Sequence, residues 1–173
     1  MLEQLDPEAL VDGGVSIFQV DERVAPDGDP DRNLTQIRAA LPPSGLERLR
    51  PMPVLDPDLD AAAARYAEEL SDALDLVHLG LGPDGHTASL VPGDRVLEVR
   101  DRRVALTAGE YQGRRRMTLT YPALEVARRI VWLVTGADKQ EALARLLDGD
   151  PSIPAGRLNA RDTVVVCDRA AAG

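Results

Sequence analysis

The fold is decided by the stretch LVHLGLGPDGHTASLVPG, residues 76–93. Residues 75–81 form a nearly continuous apolar run, which is typical of a strand in a parallel sheet with both faces covered. The run leads into a loop with three glycines in six residues, too many for an ordinary connection. His86 follows directly. Because ligands bind at the carboxyl ends of strands in open α/β sheets, His86 is the first candidate functional residue.

Each part of this stretch also has a simpler interpretation. A lone histidine is usually a surface or hydrogen-bonded residue, and closely spaced glycines can merely form a tight turn. The combination is more specific, since it places a titratable side chain after a permissive loop at a sheet edge. The second histidine, His78, lies inside the strand pattern, and we interpret it as structural.

The composition indicates a globular protein. The chain has 173 residues, with 44% hydrophobic and 28% charged residues, and we predict a single domain over residues 1–173. We find no apolar run of membrane-spanning length and no signal-peptide pattern, so we expect a cytoplasmic protein that does not bind membranes. The single cysteine, Cys167, excludes an internal disulfide, and its apolar surroundings predict a place in the core.

The charge balance restricts the possible partners. A net charge of −9, one tryptophan and 3% aromatic residues disfavour binding to nucleic acid. A few clustered cations can still bind a small anion. Lys139 is the one lysine among 20 basic residues, which is either chance or a sign of a site that needs a compact ammonium group. It lies in the first turn of a predicted helix, 138–147, where free N–H groups favour anions.

Strand and helix patterns alternate along the chain, and no linker divides it. The clearest helix begins at Asp58 and has an alanine-rich body with apolar residues at helical spacing. The apolar runs predict strands at 15–20, 76–81, 103–107, 117–121, 130–135 and 163–167, with a short strand near 52–55; the helical patterns are 1–11, 33–41, 58–74, 122–128 and 138–147.

Two charged clusters adjoin predicted strands. The triplet DER, residues 21–23, is either a solvated strand exit or part of a polar ligand site. The triplet RRR, residues 114–116, is most often a solvated patch. If residues 117–121 form a strand, alternation sends Arg115 and Arg116 to opposite sides, so only part of the run can face a cleft.

Several motifs together resemble one family. They are GLGPDGHTASLVPG, DER followed by DPDRN, RRMTLT, LVTGADK, and IPAGRL with VVVCDRAA, in this order from Val15 onward. The chain is similar to the 6-phosphogluconolactonases, within the wider group of sugar-phosphate isomerases and deaminases. The residues after His86 are Thr-Ala-Ser-Leu, as in the lactonases, whereas the deaminases have an Ala-Phe-Asn type of sequence there.

The resemblance implies a fold and a reaction. The fold is α/β, a mostly parallel, doubly wound sheet with helices on both faces. The reaction is hydrolysis of 6-phospho-D-glucono-1,5-lactone to 6-phospho-D-gluconate in the pentose phosphate pathway, without metal or organic cofactor. His86 matches the family's catalytic base, and Asp21 matches an acidic position that orients hydroxyls and the histidine.

The resemblance also implies how the phosphorylated sugar lactone is bound. Arg23 matches a basic position that lines the site and holds anionic groups, and Arg116 and Lys139 match positions associated with the sugar phosphate. Gly85 belongs to the loop whose backbone N–H groups are candidates to stabilise the developing oxyanion.

The chain departs from the family at its amino terminus. Family members begin with a strand and a GGSTP-like loop that helps to bind the phosphate, and this sequence starts in what should be the following helix. We therefore expect an N-terminally truncated version of the fold, as a monomer or weak dimer. Two other functions stay open: an amino-sugar-phosphate isomerase or deaminase, and an inactive sugar-phosphate-binding module.

Overall fold

A computed structural model describes residues 14–173, so the helix predicted over residues 1–11 lies outside the described part. The described strands are β1 (Ile17–Phe18), β2 (Asp21–Arg23), β3 (Leu49–Arg50), β4 (Leu76–Leu79), β5 (Val104–Leu106), β6 (Arg116–Leu119), β7 (Arg129–Val134) and β8 (Thr163–Cys167). The helices are α1 (Asn33–Ala40), α2 (Pro43–Arg48), α3 (Leu59–Glu69), α4 (Tyr121–Leu124), α5 (Gln140–Leu147) and α6 (Arg169–Ala172), with 3₁₀ turns at Arg95–Glu98, Ala137–Lys139 and Ala155–Arg157.

Three sheets organise these elements. The strands β4, β7 and β8 form a parallel sheet in that order, and Leu79 pairs with Trp132. Since the strands are parallel, the loop that follows β4 and the turn that follows β7 leave from the same edge. A second parallel pair joins β1 to β3. The α/β class predicted from the sequence is confirmed.

The third sheet is antiparallel and was not predicted. Its order is β2-β6-β5, with Arg23 opposite Arg116 and Asp21 opposite Thr118. Residues two apart on a strand share a face. This register therefore places Asp21, Arg23 and Arg116 on one face of the sheet.

The core joins the parallel sheet, the antiparallel sheet and α3, which packs against β5. The side chain of Asp58 accepts a hydrogen bond from the Ala61 N–H and caps the helix, and Ala62, Ala63 and Tyr66 form its buried face. The Tyr66 hydroxyl accepts a hydrogen bond from the Gln19 N–H at 2.8 Å. Burial raises the pKa of this phenol well above its ordinary value, so it stays neutral.

Most predicted elements are confirmed within a few residues, but three expectations are wrong. The strand β4 alternates between exposed and buried residues, so one face of it is not covered by the described residues. Cys167 is exposed, because the side chains of β8 are largely uncovered by the described residues. The strand expected near residues 52–55 is a turn after β3. Within residues 14–173, no helix is long and apolar enough to cross a membrane.

A buried carboxylate joins β2 to α1. The side chain of Glu22 is fully buried and accepts hydrogen bonds from five donors: the backbone N–H groups of Arg23, Asn33 and Leu34, the Nε of Arg32 and the side-chain amide of Gln19. Two of these N–H groups belong to the first turn of α1, where a carboxylate is favoured. The side chain of Arg32 is 2% exposed and forms an ion pair with the Glu22 carboxylate. Glu22 therefore sets the position of α1 against the antiparallel sheet.

Replacing Glu22 with Gln should destabilise the protein by about 3 to 5 kcal/mol, because it leaves the buried Arg32 guanidinium without its main counter-charge. Urea unfolding measures the change. The matched control is Glu68→Gln, on an exposed position of α3, which should stay within about 0.5 kcal/mol of the unmodified chain. Equal stability of the two variants would contradict this role of Glu22.

Candidate active site

The loop between β4 and His86 is shaped by two glycines. A Cβ at Gly82 would lie 2.0 Å from Nδ1 of His86, so the imidazole occupies the space that any other residue would need. Gly85 has a φ of +81°, and a Cβ there would lie 2.5 Å from the side chain of Ile153. The Gly82 N–H donates to the His86 carbonyl at 2.9 Å. The loop therefore folds back on itself and fixes the backbone from which the His86 side chain extends.

His86 is paired with a carboxylate and a phenol. Its Nδ1 lies 2.6 Å from Oδ1 of Asp84. The hydroxyl of Tyr111 donates to Oδ2 of the same carboxylate at 3.1 Å and lies 3.3 Å from Nδ1 of His86. A carboxylate can only accept a hydrogen bond, so Nδ1 of His86 is the donor in this pair, and Nε2 is the ring nitrogen that does not contact Asp84. A general base that works through Nε2 needs this orientation of the ring.

Asp84 stays ionised in this arrangement. Burial alone would raise its pKa, but hydrogen bonds from His86 and Tyr111 outweigh it and hold the pKa below the usual value. The pKa of Tyr111 is raised, first by burial and then by its hydrogen bond to Asp84. At neutral pH the pair therefore consists of a carboxylate anion and a neutral phenol.

A hairpin carries Tyr111 to this position. Residues Tyr111 and Arg114 pair across a two-residue turn, in which Gln112 and Gly113 have φ values of 53° and 74°. Positive φ at both central positions is the requirement of the common hairpin turn. At the base of the hairpin, the Thr107 N–H donates to the Arg116 carbonyl at 2.9 Å.

Arg116 lies beneath this hairpin and is 4% exposed. Its guanidinium is 5.1 Å from the centre of the Tyr111 ring, and it donates to the Tyr111 carbonyl and to the side chain of Gln112. Its Nε is buried and, among residues 14–173, has no hydrogen-bond partner. Burial and the opposing Arg23 guanidinium lower the pKa of Arg116. Two arginines facing each other across strands are unfavourable unless an anion lies between them.

The carboxylate of Asp21 supplies part of the negative charge that the facing arginines, Arg23 and Arg116, need between them. Its carboxylate accepts hydrogen bonds from the Ser89 hydroxyl at 2.6 Å and from the side-chain amide of Asn33 at 3.0 Å, and it lies 3.9 Å from Arg116. Burial raises the pKa of Asp21, against the opposing effects of Ser89 and Arg116. The carboxylate beside His86 is Asp84, whereas Asp21 contacts Ser89, Asn33 and Arg116.

Arg23 and Lys139 lie at the edges of the site. Arg23 donates to Oδ1 of Asn33 at 2.9 Å and to the Asp31 carbonyl at 2.5 Å. Lys139 ends the 3₁₀ turn after β7, at the sheet edge from which the His86 loop also leaves. Its side chain is 21% exposed, and its ammonium group forms an ion pair with Asp138 at 2.8 Å. Arg23 and Lys139 are both partly exposed.

Three of the loop N–H groups expected to stabilise an oxyanion are already engaged in the loop as it is folded. The N–H groups of Gly82, Gly85 and His86 donate to acceptors within the loop itself, at 2.9 to 3.1 Å. Gly85 instead holds the loop in place, since its carbonyl accepts a hydrogen bond from the Ala155 N–H at 3.0 Å. Residues 14–173 contain no cluster of three or more His, Cys, Asp or Glu side chains placed to hold a metal ion.

Sequence reasoning missed four side chains of the site: Asp84, Ser89, Asn33 and Tyr111. Asp84 and Ser89 lie in the same motif as His86, so the motif contained their signal. Asn33 ends the DPDRN motif, but the helical pattern that begins there gives it no functional role. Tyr111 lies in a loop without a periodic pattern, and its contact with His86 spans 25 positions of sequence.

The fold and the site together define an α/β protein with a histidine–carboxylate pair beside a buried arginine. The family model described as glucosamine-6-phosphate isomerases/6-phosphogluconolactonase matches residues 2–167. The 6-phosphogluconolactonase of Synechocystis sp. is 36% identical over 169 residues, which cover 87% of this chain and 68% of that protein. The corresponding Nostoc sp. protein is 36% identical over 148 residues, 76% of this chain and 60% of that protein.

A solved structure agrees with these sequence matches. The 6-phosphogluconolactonase of Thermotoga maritima superposes with a TM-score of 0.77 at 28% identity and covers 88% of this chain and 72% of that one. The chain belongs to the glucosamine-6-phosphate isomerase/6-phosphogluconolactonase family. It spans about 60 to 68% of the length of the two curated relatives described above.

Gly82→Ala should displace the His86 ring, because the new methyl group would overlap Nδ1 and Cε1. We expect loss of the Nδ1-protonated tautomer as the dominant form, read from the imidazole ¹⁵N shifts. Gly80→Ala is the matched control in the same loop: a Cβ there meets nothing within 4 Å. A His86 spectrum that is the same in both variants would contradict the close packing of His86 on Gly82.

Proposed function

We propose that this protein hydrolyses 6-phospho-D-glucono-1,5-lactone to 6-phospho-D-gluconate, as a lactone hydrolase of the pentose phosphate pathway. The observation that carries the proposal is the pairing of His86 with Asp84, next to a tyrosine whose ring packs on the buried Arg116. The identity to curated 6-phosphogluconolactonases supports the substrate. The sequence after the DGH motif supports the lactonase over an amino-sugar-phosphate isomerase or deaminase.

In the proposed reaction, Nε2 of His86 takes a proton from a water molecule as the water oxygen attacks the lactone carbonyl carbon. The carbonyl π electrons move to its oxygen, which becomes an oxyanion. When the carbonyl reforms, the bond between this carbon and the ring oxygen breaks, and the imidazolium returns its proton to the leaving alkoxide. Asp84 stabilises the imidazolium during these steps, because its carboxylate already accepts the Nδ1 proton.

The anionic substrate group is proposed to bind among Arg23, Arg116 and Lys139. Arg116 and Arg23 face each other across β2 and β6, which is favourable once an anion lies between them. Lys139 contributes a compact charge at the neighbouring strand end. Asp21 is proposed to act by holding the guanidinium of Arg116, and Gly85 by fixing the loop that presents His86.

The location, oligomeric state and partners of the protein are part of the same proposal. We propose a cytoplasmic location and a monomer or weak dimer that does not bind nucleic acid. The net charge of −9 supports the last point, because an acidic protein is repelled by phosphate backbones. The charge pattern is compatible with a small anionic substrate, whose recognition needs only the local arginines.

His86→Ala should lower lactone hydrolysis by about 10²- to 10⁴-fold, the usual contribution of a general base. Freshly prepared 6-phosphogluconolactone is used, and the spontaneous rate is subtracted. The matched control is His78→Ala, since His78 is the other histidine and lies exposed on β4, outside the site. It should keep the full rate.

Three results would overturn the proposal in different ways. Equal rates in the two histidine variants would remove His86 from the reaction. Release of ammonia from glucosamine 6-phosphate, with no lactone hydrolysis, would favour the deaminase. A folded protein that binds 6-phosphogluconate in calorimetry but turns over neither substrate would be a binding module.

A further inference from the structure

We propose that Tyr111 is a positioning residue, which fixes the His86–Asp84 pair and connects it to the anion-binding Arg116. This inference rests on the proposed function, because it assigns Tyr111 a part in presenting the base of that reaction. Tyr111 lies outside the motifs by which the family was recognised in the sequence. The inference follows from the contacts that the hairpin makes over the site.

Tyr111 fixes Oδ2 of Asp84, the carboxylate oxygen that does not contact His86. Oδ1 of Asp84 accepts from Nδ1 of His86 at 2.6 Å and from the His86 N–H at 3.1 Å. Oδ2 accepts from the Tyr111 hydroxyl at 3.1 Å. The Asp84 side chain is 37% exposed, so without the phenol its Oδ2 would face water and the carboxylate could rotate. Donors on both oxygens fix its plane and, through Nδ1, the direction of Nε2.

The aromatic rings of Tyr111 and His86 pack against each other. The phenol and the imidazole meet edge to face, with centroids 5.2 Å apart and planes at 64°. This is a favourable aromatic geometry, and it limits tilting of the imidazole. The Tyr111 hydroxyl also lies 3.3 Å from Nδ1, so the proton on Nδ1 is held between two oxygens. Tyr111 therefore restrains His86 both directly and through Asp84.

Tyr111 also contacts the guanidinium of Arg116. The guanidinium carbon lies 5.1 Å from the centre of the Tyr111 ring, within the range of a cation–π interaction. Nη2 of Arg116 also donates to the Tyr111 carbonyl at 3.3 Å. An anion held by Arg116 and the base at His86 are thus separated by a single side chain. The spacing between the two parts of the site depends on that side chain.

The hairpin is anchored well enough to act as a support. Arg114 forms ion pairs with Asp29 at 3.1 Å and Asp31 at 3.8 Å, and so attaches the hairpin to the turn before α1. Arg115 donates to the Thr107 carbonyl at 3.2 Å. Among residues 14–173, the titratable groups in contact with Asp84 are His86 and Tyr111, and the Tyr111 ring in turn contacts Arg116.

Tyr111→Phe tests the proposal, because it keeps the ring and removes the hydroxyl. We expect kcat for the lactone to fall about tenfold, the effect of removing one hydrogen bond to a charged group, with little change in KM. The pKa of Asp84, followed by ¹³C NMR of its carboxyl carbon, should rise towards the ordinary value. Tyr111→Leu should in addition raise KM, since Arg116 loses its ring contact.

The matched control is Glu110→Gln, an exposed neighbour in the same hairpin, which should leave kcat, KM and the Asp84 titration unchanged. A Tyr111→Phe variant with an unaltered Asp84 titration would overturn the proposal, whether or not kcat fell. If the Tyr111→Phe variant does not fold, the pKa of Asp84 is measured in the unmodified protein instead. A value at or above the ordinary pKa of an aspartate would also overturn the proposal. A protein without lactone hydrolysis would refute the proposed function, while the titrations would still test the role of Tyr111.

Discussion

The carboxylate of Glu22 is held among five hydrogen-bond donors between β2 and α1, and the cationic side of the candidate site depends on it. A buried anion is tolerated only when its oxygens are saturated by donors and a cation lies close. Glu22 meets both conditions with backbone N–H groups and Arg32. Because it fixes the first turn of α1, it also fixes Asn33, whose amide binds Asp21, the neighbour of Arg116.

The two halves of the site have different supports. The base side is local: Asp84 and His86 are two residues apart, and the glycines of their loop permit that contact. The cationic side is assembled from distant segments, since Arg23 and Arg116 become neighbours only through antiparallel pairing. Tyr111 lies between the two halves. A protein with a net charge of −9 thus brings together positive charge at one place by strand register, without a basic surface overall.

The sequence was informative where a motif and a strand end coincide. His86 and the element after β7 were predicted because an apolar run followed by glycine marks the carboxyl end of a strand. The alternation argument for Arg115 and Arg116 is confirmed: the first is exposed and the second buried. The antiparallel pairing of β2 with β6 could not be foreseen, since strand partners are set by packing between distant segments. For the same reason the contact of Tyr111 with Asp84 left no pattern in the sequence.

Lys139 gives the chain an unusual chemical property. It is the one lysine in the sequence, it is partly exposed, and its ammonium group lies at the edge of the sheet that also carries the His86 loop. Apart from the terminal amine, a reagent that attacks amines therefore has a single side chain to modify. Acylation or reductive alkylation would therefore modify one side chain of this sequence, at the carboxyl end of β7, without mutagenesis.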